Sequence, residues 1–500
     1  MAPIASDALK ARWRGQPERR RLGITIAVQA ILVVLLLAWV SSVGWALAIT
    51  FAVLWLRKLE QRLRVGAEIA LVIALLVFLR PLGFILAIAF AASWVRGRYR
   101  GWVVPVLAIA AAVAYPFYAD RLFALPIFGP FPDVSTGVVM LVFIMMAVGL
   151  NVVVGYAGLL DLGYVAFYAM GAYTAAWFAS LQFPSHTVHF GAVGITPDLP
   201  GFHITIWLLL IAAGVLTAIT GVIIGLPTLR LRGDYLAIVT LGFGEILPQV
   251  ARNGDNFFGT GFNLTNGPNG ITPLDAPGFG NTLSNATNGF LPANYLSCCQ
   301  RTMLGHQLSS ADVFFWTALV LLLFTVFCSW RLRDSRLGRA WIAIREDEVA
   351  AAAMGVPLMR TKTWAYATGA FFGGIAGAYY ASFKSATFPG DFFFNISVFI
   401  LCMVILGGMG NIWGVIVGAA FLSYLDREGL ANTGTWVNEH VSIFGHHPNI
   451  DVPLYASGIY GALILLVMLF RPEGMIPSRR RAAEFHEGVE DTPLYDSTSG

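Results

Sequence analysis

Residues 134–154 read VSTGVVMLVFIMMAVGLNVVV, a run without a single charged side chain. A helix crosses the hydrocarbon core of a bilayer in about 20 apolar residues, so this run predicts a transmembrane helix. The composition agrees: apolar residues make up 57% of the 500 residues, and Asp, Glu, Lys and Arg only 12%. So few charges cannot cover that much apolar surface in water. The sequence therefore predicts an all-α polytopic membrane protein.

Apolar runs of similar length recur along the chain. Three longer runs, at 24–56, 65–95 and 395–426, each have room for two helices, and the last is divided by the glycine-rich stretch 407–411. The pattern predicts about 14 transmembrane helices, with a range of about 10–14 because the short hairpins in the first hundred residues are the weakest part. The remaining spans are 102–119, 161–180, 204–227, 234–251, 312–330, 362–383 and 452–470.

The distribution of Lys and Arg orients these spans. When the N-terminus is placed in the cytoplasm, the inside segments carry 26 of the 32 Lys and Arg residues. Cytoplasmic loops are enriched in these residues, so both termini are predicted to be cytoplasmic. The predicted organisation is a basic cytoplasmic N-terminus at 1–23, accessory N-terminal transmembrane helices at 24–119, a core at 134–477 and a cytoplasmic tail at 478–500.

Two loops of the core are too long to be simple turns. The outside loop 252–311 is rich in Gly, Asn, Pro and Thr, which favours turns over a packed core. In the inside loop 331–361, Ser335 is a helix-capping residue type, and Gly355 followed by Pro357 ends a helical pattern. The sequence predicts one short cytoplasmic helix there, although residue types alone favour a solvated connector.

Glycine is abundant, with 52 residues, and much of it recurs every four residues inside the predicted spans. Helices in a bilayer lack a hydrophobic drive to associate, and small residues at this spacing let their backbones approach closely. These rows therefore predict helix packing, and they indicate no particular transport chemistry. The rows are Gly369, Gly373 and Gly377, and Gly410, Gly414 and Gly418.

One acidic residue falls at membrane depth. Glu245 lies eleven residues into the span that begins at Asp234, about 16 Å along a helix. Gly242 and Gly244 precede it, which predicts a helix interrupted towards a cavity, as in transporter substrate sites. A structural Glu bonded to a neighbouring helix explains the pattern equally well. The candidates for a translocation path are Glu245, Gly242, Gly244 and Asn151, although helix capping also explains Asn151.

Several motifs are absent from the sequence. It contains no G-x-x-x-x-G-K-[ST] loop for ATP and no recognisable catalytic or metal-binding motif. The net charge of +4 does not indicate nucleic acid, because the basic residues form short clusters beside apolar runs. The sequence thus predicts a protein that moves or conducts a solute, is not an enzyme and carries no cofactor. An ion-driven secondary transporter and a receptor or structural membrane component are the alternatives, and the former should show two matching broken helices.

Six strings, taken in order, resemble one transporter family. Together they resemble the LivM-type permease of branched-chain amino acid ABC importers over about residues 134–477, and each alone is weak. The strings are LNVVVGYAGLLDLGYVAF at 150–167, LRLRGDYLAIVTLGFGEI at 229–246, TNGPNGI at 265–271, LGRAWIAIREDE at 337–348, VILGGMG at 404–410 and RPEG at 471–474.

The resemblance implies the membrane-spanning permease of an ATP-driven importer for branched-chain or related small amino acids in the bacterial inner membrane. It also implies a second homologous permease, two cytoplasmic ATPases that use ATP and Mg, and a periplasmic substrate-binding protein, with membrane lipid around the bundle. Relatives also carry urea, short amides or aromatic acids, and nothing in these spans discriminates among the substrates.

The resemblance further implies that 134–477 is the permease core, that 252–311 is periplasmic and that 331–361 is the coupling loop to the ATPase. One departure concerns Glu348, which precedes Gly355 by seven residues, whereas the general importer pattern has six and an uninterrupted Glu-Ala-Ala. The residues implied in the coupling helix are Gly338, Arg339, Ala340, Arg345, Glu346, Asp347, Glu348 and Gly355.

Overall fold

The structure is a computed structural model that divides into two compact units. The first comprises residues 1–114 and 118–131, and the second residues 115–117 and 132–500. Predictions for residues 1–99 and for the tail at 478–500 lie outside the described residues. Helix α1 (Arg100–Tyr118), most of whose residues belong to the first unit, is close to the predicted span 102–119. The structure describes residues 100–119, 130–193, 198–231, 234–256, 259–287, 292–296, 302–303, 306–440, 450–471 and 474–476.

The described part of the second unit is mostly helical. Two π-helical turns, Val152–Tyr156 and Leu425–Gly429, continue α2 and α12. The helices are α2 (Val134–Asn151), α3 (Tyr164–Phe178), α4 (Ile206–Thr228), α5 (Asp234–Arg252), α6 (Gly280–Ala286), α7 (Ser310–Arg333), α8 (Arg336–Glu346), α9 (Glu348–Ala353), α10 (Leu358–Lys384), α11 (Phe394–Gly407), α12 (Ile412–Tyr424), α13 (Leu430–His440) and α14 (Ala456–Phe470).

The helices confirm the prediction of a polytopic membrane protein. The run at 395–426 divides as expected, because α11 ends at Gly407 and α12 begins at Ile412. The count of about 14 spans and the side on which the termini lie stay predictions. Within the described residues, five helical stretches are long and apolar enough to cross a membrane: Val134–Tyr156, Ile206–Thr228, Ser310–Arg333, Pro389–Gly407 and Val452–Leu469.

The core of the second unit lies around α2 and α10. Residues 141–157 of the α2 region are all buried, and α2 packs against α7, α10, α11 and α12. Helix α10 packs against α3 and α4 as well. Its 27 residues extend about 40 Å at 1.5 Å per residue, so α10 runs the length of the bundle. Its first turn lies beside α8 and α9 of the segment 334–357, and we call this end of the bundle the connector end. Its last turn lies at the opposite end, near the short strands described below, which we call the sheet end.

The glycine rows lie at these helix contacts, with one exception. A Cβ added at Gly377 would collide with the carbonyl oxygen of Tyr168 in α3, and one at Gly369 would collide with Val153. In the second row, Gly414 and Gly418 of α12 both lie against Gly407 of α11. Gly373 likewise faces Phe167 and Tyr164 of α3. Gly410, in contrast, lies outside any helix, with a φ of +85°, in the turn between α11 and α12.

Short strands at the sheet end modify the all-α prediction. Strands β1 (Ala179–Ser180), β2 (Thr187–Phe190) and β3 (Gly201–Ile204) form a sheet in the order β1-β3-β2. Strand β3 is antiparallel to β1 and parallel to β2. Strands β4 (Thr302–Met303) and β5 (His306–Gln307) form an antiparallel pair. Strands of two to four residues are too short to give an alternating pattern that separates them from loop.

The long loop 252–311 does more than form turns. Leu274 and Tyr295 are buried, and Trp207 of α4 donates a hydrogen bond from Nε1 to the carbonyl oxygen of Gly278, at 2.9 Å. The loop also makes β-bridges to Ser180 and to Thr387, next to the end of α10. It therefore closes the sheet end of the bundle, with its few apolar residues as anchors.

Replacing Gly377 by Ala tests the helix contact at α10. The new Cβ collides with a backbone carbonyl that cannot rotate away, so α10 must shift from α3, and such overpacking costs about 1–3 kcal/mol. We expect a lower apparent unfolding temperature for the purified protein in detergent. Gly461→Ala in α14 is the matched control, because an added Cβ there meets no described atom within 4 Å. Equal unfolding temperatures for the two variants would contradict this packing.

Candidate functional site

The connector, residues 334–357, joins α7 to α10 and contains α8 and α9. Ser335 begins α8 as predicted, since its Oγ accepts a hydrogen bond from the backbone N–H of Gly338 at 3.2 Å. The prediction of one helix between Ser335 and Gly355 is wrong, because the chain is extended at Asp347, with φ −151° and ψ 111°. The Asp347 carboxylate accepts hydrogen bonds from the N–H groups of Val349 and Ala350 at 2.8 and 3.0 Å. An Asp that caps a new helix in this way ends the previous one.

The connector is attached to the start of α10 at two points. Trp341 of α8 is fully buried and donates from Nε1 to the carbonyl oxygen of Thr361 at 2.8 Å. Glu348 of α9 forms an ion pair with Lys362, with 2.8 Å between Oε1 and Nζ. Lys362 is only 4% exposed, so it requires this partner. Glu348 thus has a structural role, although its spacing from Gly355 departs from the importer pattern.

The other connector residues fall into two groups. Arg345 contacts the bundle, because its Nη1 donates to the carbonyl oxygen of Gly155 at 2.6 Å. Gly338 is buried against the last turn of α7, and Gly355 has a φ of +85° that ends α9 in a left-handed conformation. The residues that face away from the bundle and are exposed include Arg339, Glu346, Asp347, Val349 and Met354.

Helix α5, which carries Glu245, is continuous from Asp234 to Arg252. The predicted interruption at 242–244 is therefore wrong. The physical reason lies in packing: a Cβ added at Gly244 would lie 3.2 Å from the Cα of Gly163, so Gly244 allows α5 to approach the segment between α2 and α3. A hydrogen bond from the N–H of Leu162 to Thr240 Oγ1, at 3.1 Å, closes the same contact.

Glu245 follows Gly244 and lies about 100° further round α5, outside this contact. Its side chain is exposed, and within the described part of the chain it has no hydrogen-bond or ion-pair partner. Gly242 lies one turn earlier, and no described atom lies within 4 Å of a Cβ added there. The exposed side of α5, called here the α5 face, consists of the exposed residues Tyr235, Ile238, Glu245, Ile246, Gln249 and Val250 with the half-buried Gly242 among them.

Asn151 does not share the α5 face. It is fully buried where α2 continues into its π-helical turn, and its Oδ1 accepts a hydrogen bond from the N–H of Gly410 at 2.8 Å. The structure therefore brings Asn151 together with the turn between α11 and α12. Of the four path candidates, only Gly242 and Glu245 share the α5 face.

Sequence reasoning missed the partners of two charged residues. Nothing near Glu348 in the sequence indicates Lys362, which lies beyond the end of α9 and in the first turns of the next helix. The carbonyl of Gly155 that binds Arg345 is 190 positions away in the sequence. The sequence did contain one signal of the ion pair: Lys362 lies at the boundary of an apolar span, and a nearly buried cation requires a counter-ion.

Replacing Glu348 by Ala tests the attachment of α9. The substitution leaves Lys362 almost buried without its counter-ion, at a cost of about 1–3 kcal/mol, so the apparent unfolding temperature in detergent should fall. The double variant Glu348→Ala with Lys362→Met should recover most of the loss, because no buried charge remains. Glu346→Ala, at an exposed position of the same connector, is the control. A single Glu348→Ala variant as stable as this control would contradict the structural role of the pair.

Comparison with known proteins places the chain in a family. The branched-chain amino acid transport system permease component family matches residues 134–468. The chain is 34% identical over 386 residues, 77% of each chain, to the high-affinity branched-chain amino acid transport system permease protein LivM of Escherichia coli K12. Identity to LivM of Salmonella typhimurium is 35% over 382 residues, 76% of each chain.

A third relative is more distant. The chain is 26% identical over 273 residues, 54% of this chain and 68% of the relative, to a probable branched-chain amino acid transport permease protein LivM of Methanocaldococcus jannaschii. No solved structure matches the chain significantly. The family match covers the whole helical core with its connector and α5, and the chain belongs to the family of branched-chain amino acid transport system permeases.

Proposed function

We propose that this chain is the membrane-spanning permease subunit of an ATP-driven importer that carries branched-chain amino acids across the bacterial inner membrane. Membership of the permease family over residues 134–468 carries the proposal. The names of its relatives, which refer to branched-chain amino acid transport, favour this substrate class over urea, short amides or aromatic acids. Both termini and the connector then lie in the cytoplasm, and the sheet end lies in the periplasm.

The connector supports docking of a cytoplasmic ATPase. Met354 is 85% exposed and Val349 70% exposed, beside the charged Arg339, Glu346 and Asp347. Apolar side chains that project from a polar, water-facing segment mark a protein contact. The two apolar side chains fit a groove on an ATPase, and the charges surround them as a polar rim. Each of two ATPases would serve one permease, and hydrolysis of ATP with Mg would take place in the ATPases.

The α5 face supports a translocation path shared with a second permease. An ionised carboxylate in contact with lipid costs several kcal/mol at the bilayer centre, so membrane acids face protein or water. The Glu245 carboxylate is exposed on this chain, and a homologous permease packed against the α5 face would cover it. The open space at Gly242 would admit a small zwitterion, with Glu245 near its ammonium group.

The remaining path candidates, Gly244 and Asn151, are buried and do not belong to the exposed side chains of the α5 face. Gly244 allows α5 to pack closely against Gly163. This contact sets the position of α5 and therefore of Glu245, the next residue. At the connector end, Asn151 accepts a hydrogen bond from the N–H of Gly410 and so holds the turn between α11 and α12 against α2. We therefore propose Glu245 and Gly242 as groups that line the path, and Gly244 and Asn151 as groups that hold its walls.

In the proposed transport cycle, a periplasmic binding protein delivers the amino acid to the sheet end. Closure of the ATPases on ATP moves the connector and switches the bundle between outward-open and inward-open states. The permease itself binds the amino acid weakly, because the binding protein selects it and tight binding along the path would slow its release.

Glu245→Gln tests the path. The neutral amide keeps the size of the side chain and removes the charge offered to the substrate ammonium, so ATP-dependent leucine uptake should fall about tenfold, equivalent to about 1.4 kcal/mol. Uptake is measured in proteoliposomes that hold equal amounts of assembled transporter. Thr220→Ala in α4 is the control, because its hydroxyl donates a hydrogen bond to Leu216 of its own helix. Uptake by Glu245→Gln equal to wild type would overturn the path assignment.

A pull-down of the tagged chain from mild detergent tests the proposed function. The wild-type chain should recover a second permease and an ATPase, identified by mass. Met354→Asp should keep the second permease and lose most of the ATPase, because a carboxylate replaces the exposed apolar side chain, whereas Glu346→Ala should recover both. Recovery of the chain alone, with ion-driven uptake in vesicles, would instead make it a secondary transporter. ATP-driven uptake of urea, acetamide or benzoate but not leucine would reassign the substrate.

A further inference from the structure

The last turn of α8 reaches a carbonyl group that the bundle leaves available. The π-helical turn Val152–Tyr156 ends α2, and the following N–H groups of Ala157 and Leu159 bond to the carbonyls of Val152 and Val153. In a regular α-helix the N–H of residue 159 would bond to the carbonyl of Gly155. That carbonyl instead accepts a hydrogen bond from the Arg345 guanidinium, with 2.6 Å between Nη1 and the oxygen.

The surroundings fit an arginine at this place. A cation beside the last carbonyls of a helix is stabilised by the helix dipole, and a charged donor gives a short, strong hydrogen bond. Two glycines with positive φ leave room for the side chain, Gly158 at +69° and Gly410 at +85°. A Cβ at Gly158 would lie 2.8 Å from Arg345 Cγ, and one at Gly410 would lie 3.3 Å from its Nη1.

The contact is continuous with the interior of the bundle. Asn151, one turn before Gly155, accepts the hydrogen bond from Gly410 at 2.8 Å, so the turn between α11 and α12 is bonded to the same end of α2. Residues 474–476 join this turn as well, because the N–H of Met475 donates to Leu406 and Asn411 Nδ2 donates to Ile476, both at 2.9 Å.

The position of Arg345 in the connector places it between the exposed α9 and the bundle. Arg345 lies two residues before Asp347, where the chain is extended between α8 and α9. Helix α9 and Met354 after it carry the exposed apolar side chains, whereas Trp341 and Arg345 tie α8 to the bundle. A displacement of α9 therefore reaches α2 and the turn between α11 and α12 through the end of α8.

We infer that Arg345 is a positioning residue that transmits movement of the ATPase-facing connector to α2 and to the turn between α11 and α12, through its hydrogen bond to the carbonyl of Gly155. The inference rests on the proposed function and deepens it, because it assigns coupling to one contact. π-helical turns inside helices are frequent at functional sites, and this one supplies the acceptor for Arg345.

The test uses the assembled transporter with its ATPases and binding protein. In Arg345→Ala, recovery of the ATPase and basal ATP hydrolysis should match wild type, while leucine-stimulated hydrolysis and leucine uptake should each fall about tenfold or more. Arg336→Ala is the matched control, since Arg336 lies in the same helix and is exposed. Arg345→Lys, which keeps a cationic donor, should recover part of the stimulation.

Three outcomes would overturn the inference. Wild-type stimulation and uptake in Arg345→Ala would show that the contact transmits nothing. Loss of the ATPase from the pull-down, or a parallel fall in basal and stimulated hydrolysis, would make Arg345 a docking or stability residue. If Arg345→Ala does not accumulate, the near-isosteric Arg345→Gln replaces it, and full stimulation in that variant overturns the inference. A wild-type chain without any ATPase would instead refute the proposed function itself.

Discussion

The close approach of α10 to α2, α3 and α4 is the constraint on which the rest of the structure depends. Within a bilayer apolar helices gain nothing by leaving lipid for each other, so they associate through tight packing and hydrogen bonds. Backbone contacts at Gly369 and Gly377 supply the packing, and a hydrogen bond at 3.0 Å from Tyr164 Oη to the carbonyl of Gly369 adds a polar contact. Because α10 extends from the connector to the sheet end, its position fixes both ends of the bundle.

The sequence predicted the helices better than the contacts between them. A membrane requires apolar runs of nearly fixed length, so the boundaries of α2, α4 and α12 lie close to the predicted spans. The role of a glycine depends on its neighbour in space, which the sequence does not contain. At Gly244 that neighbour is Gly163, and the predicted helix break is a close packing contact. Asp347 was recognisable as a capping residue type, but its position inside a helical pattern concealed the break.

The polar groups of the bundle divide into two kinds, and only one could be located from the sequence. Asn151 is buried and bonded to Gly410, 259 positions away, and Lys362 is buried and paired with Glu348 of the preceding helix, so their roles appear only when the chain is folded. Glu245 was identified from its depth in a span alone, and within the described residues it is exposed without a partner. A buried, bonded group stabilises the subunit that holds it, whereas the exposed carboxylate of Glu245 is the group for which we propose a partner outside this chain.

The division of the connector at Asp347 gives a physical reason why one short segment can have the two tasks proposed for it. In a continuous helix the direction of every side chain is fixed by its position in the sequence. Residues that contact the bundle and residues proposed to dock a partner would then have to share the faces of one helix. The extended residue separates them: α8 carries Trp341 and Arg345 towards the bundle, and the segment after it presents Val349 and Met354 to solvent. Helix α9 is tied back only through Glu348 and Lys362 among the ion pairs of the described residues. Because Asp347 joins the two helices directly, a displacement of the segment proposed to face the ATPase pulls on α8 and on its hydrogen bond to the carbonyl of Gly155.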